Sequence, residues 1–303
     1  MTRVAVLITC FNRRQHTLAC LRSLMAQQNI AGYALEVYLL DAGADGTAEA
    51  VTAEFPAVHV IAGDADLYWA GGMRQAWQQA LNNRADLYLW LNDDVQLLPD
   101  ALARLLADYQ QLLAAGNKVG AVVGTMAAAL PIPATSATSS DRDLVASYGG
   151  RCRVSRWFPL QFGAVLQPQS EPQPCDFING NLCLIPAAAV DAIGILSERF
   201  THSMADYDYG LRLARAGFSL WLASGFHGVC PLHDPALSVL NKKRPFFARL
   251  RSLQRPNVWA PAGEWAYFVR CHGGPLWPLL WLKVQLRGCF PALWLWWSQR
   301  ELS

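Results

Sequence analysis

Short apolar, β-branched runs alternate with longer stretches of helical spacing through the first 125 residues of this chain. Val4 to Thr9, Leu35 to Leu40, Val58 to Ala62, Leu87 to Leu91 and Val119 to Val123 have the length and composition of buried strands. Between them, Thr17 to Gln27, Thr47 to Phe55, Gly72 to Leu81 and Pro99 to Ala114 carry patterns that predict helices. Strands alternating with helices predict an α/β fold, with a mostly parallel central sheet covered by helices on both faces. Ligands of such sheets bind beyond the carboxyl ends of the strands. The residues to read for chemistry are therefore Cys10 to Arg13, Asp41 to Asp45, Asp64 to Gly72 and Asn92 to Val95, all polar or glycine-bearing stretches.

From Met126 to Asp143 the sequence turns to Ala, Pro, Ser and Thr, which predicts a mobile loop over 126–144. Residues 145 to 185 read as short strands, and Asp206 to Ala216 as a helix. The expected organisation is a main domain over 1–239, divided into 1–125, the loop and 145–239, followed by a helical extension over 240–303.

Composition sharpens the view of that extension. At 303 residues, 53% hydrophobic and 16% charged, the chain is suited to a large buried core and not to disorder. The net charge of +2 hides an asymmetry: residues 240–303 hold ten Lys/Arg against two Glu, and seven of the twelve tryptophans. Trp with Lys/Arg is the pairing that settles at a lipid headgroup layer, and an amphipathic helix docked on the protein's own core gives the same composition. Lys283, Gln285 and Arg287 near the centre of the Pro275 to Trp297 stretch argue against a spanning helix. Eight scattered cysteines without a CxxC pair read as reduced thiols of a cytosol, and the lone Cys230/His233 pair as core packing.

The sharpest chemical signal is Asn92-Asp93-Asp94, two carboxylates where a buried strand ends. Mg²⁺ and Mn²⁺ take oxygen ligands, commonly one or two carboxylates plus substrate phosphates. The same residues also suit the start of a helix. Asp41 with Asp45-Gly46-Thr47 follows the second strand, and Gly71-Gly72 with Arg74 opens a predicted helix whose N–H groups and dipole suit a diphosphate.

Taken in order, Thr9-Cys10-Phe11-Asn12-Arg13, Asp41 with Asp45-Gly46-Thr47, Gly71-Gly72 and Asn92-Asp93-Asp94 resemble the family 2 inverting glycosyltransferases of the GT-A fold, especially rhamnosyltransferase-like bacterial members. Gly180-Asn181, Ile193 to Phe200 and Asp206-Tyr207-Asp208 to Phe218 are similar to that family's acceptor region. The resemblance implies a GT-A nucleotide-diphospho-sugar transferase fold, with nucleotide-sugar binding in 1–125 and the acceptor side in 145–239. It implies that Thr9, Phe11, Asn12, Arg13, Asp41, Gly71, Gly72, Arg74, Asn92 and Asp93 hold the donor, and that Asp94 holds Mg²⁺ or Mn²⁺. Asp206 becomes the base, with Gly180, Asn181 and Asp208 on the acceptor side. A histidine after the base ligates metal in related enzymes, and His227 and His233 are the positions that offer one. The sequence departs from the family's pattern at Ala205, where an acid commonly precedes the base, and at Asn92.

The implied activity is transfer of a sugar, from dTDP-rhamnose or a UDP-sugar, to a glycan or lipid-linked glycan in cell-surface polysaccharide synthesis. Its expected place is the cytoplasm, peripheral on the inner membrane through 240–303. A nucleotidyltransferase would need a glycine-rich signature near the first strand, and Thr9 to Arg14 has no glycine. Dinucleotide and P-loop motifs are absent after every strand. A non-catalytic nucleotide-sugar-binding or scaffold homologue remains an alternative, whereas the acidic balance of residues 1–239 argues against nucleic acid.

Overall fold

The structure is a computed structural model that describes residues 1–129, 144–155, 159–231, 261–282 and positions 245, 247, 248, 290 and 293. Its first half runs β1 (Thr2–Cys10), α1 (Arg14–Met25), β2 (Tyr33–Asp41), α2 (Thr47–Glu54), β3 (His59–Ala62), α3 (Tyr68–Leu81), β4 (Leu87–Leu91), β5 (Gln96–Leu97), α4 (Ala101–Ala114) and β6 (Val119–Ala127). The second half adds β7 (Ala146–Tyr148), β8 (Arg151–Arg153), β9 (Phe162–Val165), β10 (Gln173–Pro174), β11 (Leu182–Pro186), α5 (Ala187–Ile193), α6 (Ala205–Arg215) and β12 (Ser219–Val229). A further helix, α7 (Ala262–His272), follows.

The main sheet is mixed, ordered β10-β12-β6-β11-β4-β1-β2-β3, with β5 on β12 and β7 on β6. β1, β2, β3 and β4 are parallel to one another where they pair, and β6 is parallel to β12. β11, antiparallel to both β4 and β6, joins the two parallel groups, and the short β5, β7 and β10 also pair antiparallel with their neighbours. Strand alternation sends side chains to two cores. Val4, Val6, Ile8, Leu87, Leu89 and Leu91 face α1, α2 and α4, while Ala5, Leu7, Tyr88 and Trp90 face α3, α5 and α6.

One finding corrects an expected element, and a second concerns the C-terminal segment, whose docking on the core its composition left open. α3 begins at Tyr68, not Gly72, because a 3₁₀ turn at Ala65–Leu67 runs straight into it. Gly71 and Gly72 are therefore buried helical residues, and Gly72 lets α3 lie directly on Thr9 of β1. The C-terminal segment is also not wholly an appendage. Trp265, Phe268 and Val269 of α7 complete the core over Phe200, and His272 donates to buried Asp208 of α6. Among the described residues no helix is long and apolar enough to cross a membrane. Of the expected 126–144 loop, Met126 and Ala127 belong to β6, and 130–143 lie outside the described residues.

Candidate active site

A cavity of about 750 Å³ opens where β1 and β4 end, β11 begins and α6 starts. The antiparallel course of β11 explains this grouping: its first residues sit beside the last residues of β4, so Asn92 N–H donates to the Asn181 carbonyl at 3.0 Å. Thr9, Phe11, Arg13, Asn92, Asp93, Asp94, Gly180, Asn181 and Asp206 all line it, as do Cys10, Asp66, Tyr68, Trp69, Tyr148, Asn179 and Tyr207.

Asp93 and Asp94 share one guanidinium. Arg13 Nη1 donates to Asp93 Oδ1 at 2.9 Å and Nη2 to Asp94 Oδ2 at 2.8 Å. The two carboxylate side chains are 6% and 11% exposed and the arginine 40%, so Arg13 covers the acids from the cavity side. The remaining oxygen, Asp93 Oδ2, is buried without a hydrogen-bond partner. Burial pushes the Asp93 carboxyl up to about 7, against the pull of Arg13 and with the help of Asp94. The Cys230 thiol donates to Asp94 Oδ1 at 3.6 Å and accepts from Asn181 Nδ2 at 3.3 Å, which places buried Cys230 behind two residues that line the cavity.

No three of His, Cys, Asp and Glu converge as a metal-holding set among the described residues. The adjacent carboxylates, one with an orphaned buried oxygen, nonetheless have the donor chemistry of a hard divalent cation that completes its shell with substrate phosphates. His227 has no part in such a set. It is fully buried off the cavity, burial lowers its pKa to about 3, and neither ring nitrogen has a partner. His233 lies outside the described residues.

Asp206 occupies the first turn of α6. Its Oδ1 accepts from the Tyr207 N–H at 2.9 Å and its Oδ2 from the Gly180 N–H at 3.3 Å. Burial raises this carboxyl to about 6, with those two N–H groups and Arg151 opposing. Tyr207 packs against Phe162 and Phe177, and burial together with Asp206 takes its phenol to about 12. Ala205 is fully buried in the apolar core, so an acid at that position would lose its hydration.

Several residues expected at the site do not line the cavity. Asp41 accepts the N–H groups of Gly43 and Ala48, both at 2.9 Å, and so shapes the loop into α2. Asn12, at φ +52°, accepts the Ala44 N–H at 2.8 Å and ties the β1 and β2 loops together. Arg74 donates to the carbonyls of Ser197 and Phe200 at 2.9 and 2.7 Å. Gly71 and Gly72 lie inside α3. Asp208 turns to the other side of α6, where it accepts from Arg212 Nε at 2.9 Å and His272 Nε2 at 2.8 Å. Because Arg215 can only donate to His272 Nδ1, the proton on that ring sits on Nε2.

Trp69 was not singled out by the sequence. Its indole N–H donates to Asn92 Oδ1 at 2.8 Å, its ring stands edge-on to Trp90, and Gly180 lies directly against it. A Cβ on Gly180 would come 2.8 Å from Trp69 Cη2 and closer still to Cζ2. The signal was present as a tryptophan just ahead of the glycine pair, where a side chain at a helix start reaches a strand end.

With this geometry in place, similarity to known proteins can be weighed. The chain is similar to the mannosyltransferase PcManGT of Pyrobaculum calidifontis, solved with GDP-Man and Mn²⁺, at 18% identity and a TM-score of 0.48, over 92% of this chain and 68% of that one. It is similar to S. aureus TarS at 12% identity and a TM-score of 0.47, over 84% of this chain and 42% of that one. No curated protein sequence matches it significantly. Residues 5–133 match the family model Glycosyl transferase family 2. That span holds Arg13, Asp93, Asp94 and the strands that present them, so the match falls on the half of the α/β fold that builds the acidic end of the cavity.

Proposed function

We propose that this chain transfers a sugar from a nucleoside diphosphate donor to an acceptor hydroxyl, with inversion at the anomeric carbon. The observation that carries this reading is that Asp93 and Asp94, at the end of β4, and Asp206, at the start of α6, open onto one cavity. Asp206 is suited to the base. Its carboxyl is raised to about 6, near enough to neutrality to take a proton and still be ionised at pH 7. The acceptor oxygen bonds to the anomeric carbon and gives its proton to Asp206, while the carbon–oxygen bond to the diphosphate breaks and its electron pair leaves with the phosphate. A single displacement from the face opposite the leaving group inverts the configuration.

Asp93 and Asp94 would hold Mg²⁺ or Mn²⁺, which when bound supplies charge stabilisation to the departing diphosphate. Phe11, 51% exposed at the cavity mouth, offers a face for the nucleoside base. Asn12 and Asp41 contribute by fixing the loops around it. A dTDP-rhamnose or UDP-sugar donor, and a glycan or lipid-linked acceptor in cell-surface polysaccharide synthesis, follow from the resemblance of the motifs. Contact with the cytoplasmic face of a membrane is supported by the exposed Trp277, Leu279, Trp281, Leu282, Phe290 and Leu293 in a segment rich in Lys and Arg.

A thermal-shift screen against UDP, GDP, dTDP and CDP, with and without Mn²⁺, tests the reading. A ligand that binds only the folded state raises its stability by mass action. A metal-dependent shift with one nucleotide supports the donor site, and no shift with any of them refutes it.

A further inference from the structure

Arg13 is the only Lys or Arg among the described residues that line the cavity. Arg74, the other candidate for a diphosphate, is committed to the carbonyls of Ser197 and Phe200. Among the described residues, the cation that lines the cavity is thus the one that covers the acidic pair, with a separate nitrogen on each carboxylate. A divalent cation that takes both carboxylates as ligands competes with that guanidinium for the same oxygens, and two cations so close repel each other. Asp93 Oδ2, buried and unpartnered, is an acceptor that Arg13 leaves open.

We propose that Arg13 couples metal binding to donor binding: it neutralises Asp93 and Asp94 in the free protein and moves onto the diphosphate when the donor arrives, which releases the carboxylates to the metal. The guanidinium is built for this exchange, because its planar fork matches a phosphate as well as a carboxylate. Its partial exposure leaves it room to swing, while the backbone stays fixed, the Arg13 carbonyl accepting the Thr17 N–H at 3.0 Å and hydroxyl at 3.1 Å. Coupling is reciprocal by linkage, so the diphosphate tightens the metal by the same factor as the metal tightens the diphosphate.

This inference rests on the proposed donor site, and one set of titrations separates the two. Mn²⁺ binding is followed by electron paramagnetic resonance and calorimetry, without nucleotide and with saturating UDP, GDP or dTDP. The proteins are wild type, Arg13→Met and Arg13→Lys, each checked for folding by circular dichroism. In wild type, nucleotide tightens Mn²⁺ binding about tenfold or more. In Arg13→Met, Mn²⁺ alone binds about tenfold tighter than to wild type, nucleotide adds little, and nucleotide itself binds more weakly; Arg13→Lys falls between. Nucleotide-dependent Mn²⁺ binding in wild type that survives unchanged in Arg13→Met overturns the coupling role and leaves the donor site standing. Absence of both Mn²⁺ and nucleotide binding in wild type overturns the donor site, and the role of Arg13 with it.

Discussion

Replacing Gly72 by alanine tests the packing that brings α3 against β1. At an unconstrained helix position the change gains about 1 kcal/mol, from helix propensity alone. Here the new Cβ collides with Thr9 Oγ1, comes 2.9 Å from Thr9 Cβ and 3.2 Å from Leu40 Cδ2. Thr9 is held in the central strand β1 and cannot retreat without moving it. Overpacking of a rigid core costs about 1–3 kcal/mol, and a collision with a strand that cannot retreat takes the upper part of that range, about 2–3 kcal/mol, so the net loss after the gain in propensity is about 1–2 kcal/mol. For a chain of 303 residues, at about 2.1 cal/mol/K of unfolding entropy per residue, that corresponds to a fall in Tm of roughly 1.5–3 °C. Thr9→Ala removes the Oγ1 and should restore part of the loss in the double variant, a coupling of about 0.5–1 kcal/mol between touching residues. Gly71→Ala is the control, since the nearest atoms to its Cβ are Leu67 side-chain atoms at 3.2 and 3.3 Å and Arg74 Nη2 at 3.6 Å. Differential scanning calorimetry of the four variants decides. A Gly72→Ala protein that melts at or above wild type, or a double variant without any rescue, would falsify the close-approach account.

Asp206→Asn should abolish transfer while nucleotide affinity stays within about twofold of wild type, and the wild-type rate should rise with pH along a limb near 6, measured by a pH series of product formation. Stability moves the other way. Between the ordinary value of 3.8 and about 6 the folded state keeps a proton that the unfolded chain has lost, so stability falls as pH rises through that window. Asp206→Asn therefore melts higher than wild type at pH 7, with the advantage vanishing near pH 4; equal melting temperatures at both would refute the buried-charge cost. Asp208→Ala removes the buried carboxylate that His272 and Arg212 share, Arg212 keeping the Ile193 and Ile195 carbonyls, and should cost about 3 kcal/mol in urea unfolding. A loss under about 1 kcal/mol would mean that α7 does not depend on that carboxylate.

Much of the fold was legible because its signals are local. The alternation in Val4 to Cys10 and Leu87 to Leu91 sorts side chains between two helical layers, and the helices fell near where the spacing placed them, α3 starting one turn early at Tyr68. The direction of β11 was not legible. Its apolar run says strand, but whether it runs with or against β4 depends on how the chain returns from β10, which no local pattern records. The cavity depended on that direction, since it brings the start of β11, and not its end, beside Asp93. The acidic pair and Asp206 were visible as carboxylates at element ends, where side chains have few places to go. Arg74, Asp208 and Arg13 were visible only as charges. Their partners lie on segments distant in sequence: Ser197 and Phe200 for Arg74, His272 for Asp208 and the acids of β4 for Arg13. A long side chain is read by type from sequence and by reach only from structure.

The docking of α7 redraws where this protein can be cut. Composition changes at residue 240, and a truncation there would look like the removal of a separate basic tail. It would instead strip Trp265, Phe268 and Val269 from the core, leave Asp208 without His272, and take from Thr201 the Glu264 carboxylate that accepts its hydroxyl at 2.7 Å. Thr201 and Asp208 bracket Asp206 in sequence, so the proposed base would lose its footing along with the tail. A loss of activity after that cut would report damage to the scaffold and say nothing about lipids. Only truncations that begin beyond Leu280, which packs on this core and whose carbonyl accepts the Trp265 indole N–H at 3.4 Å, keep these contacts whole, and the exposed Leu276 and Trp277 are the first residues a membrane could claim.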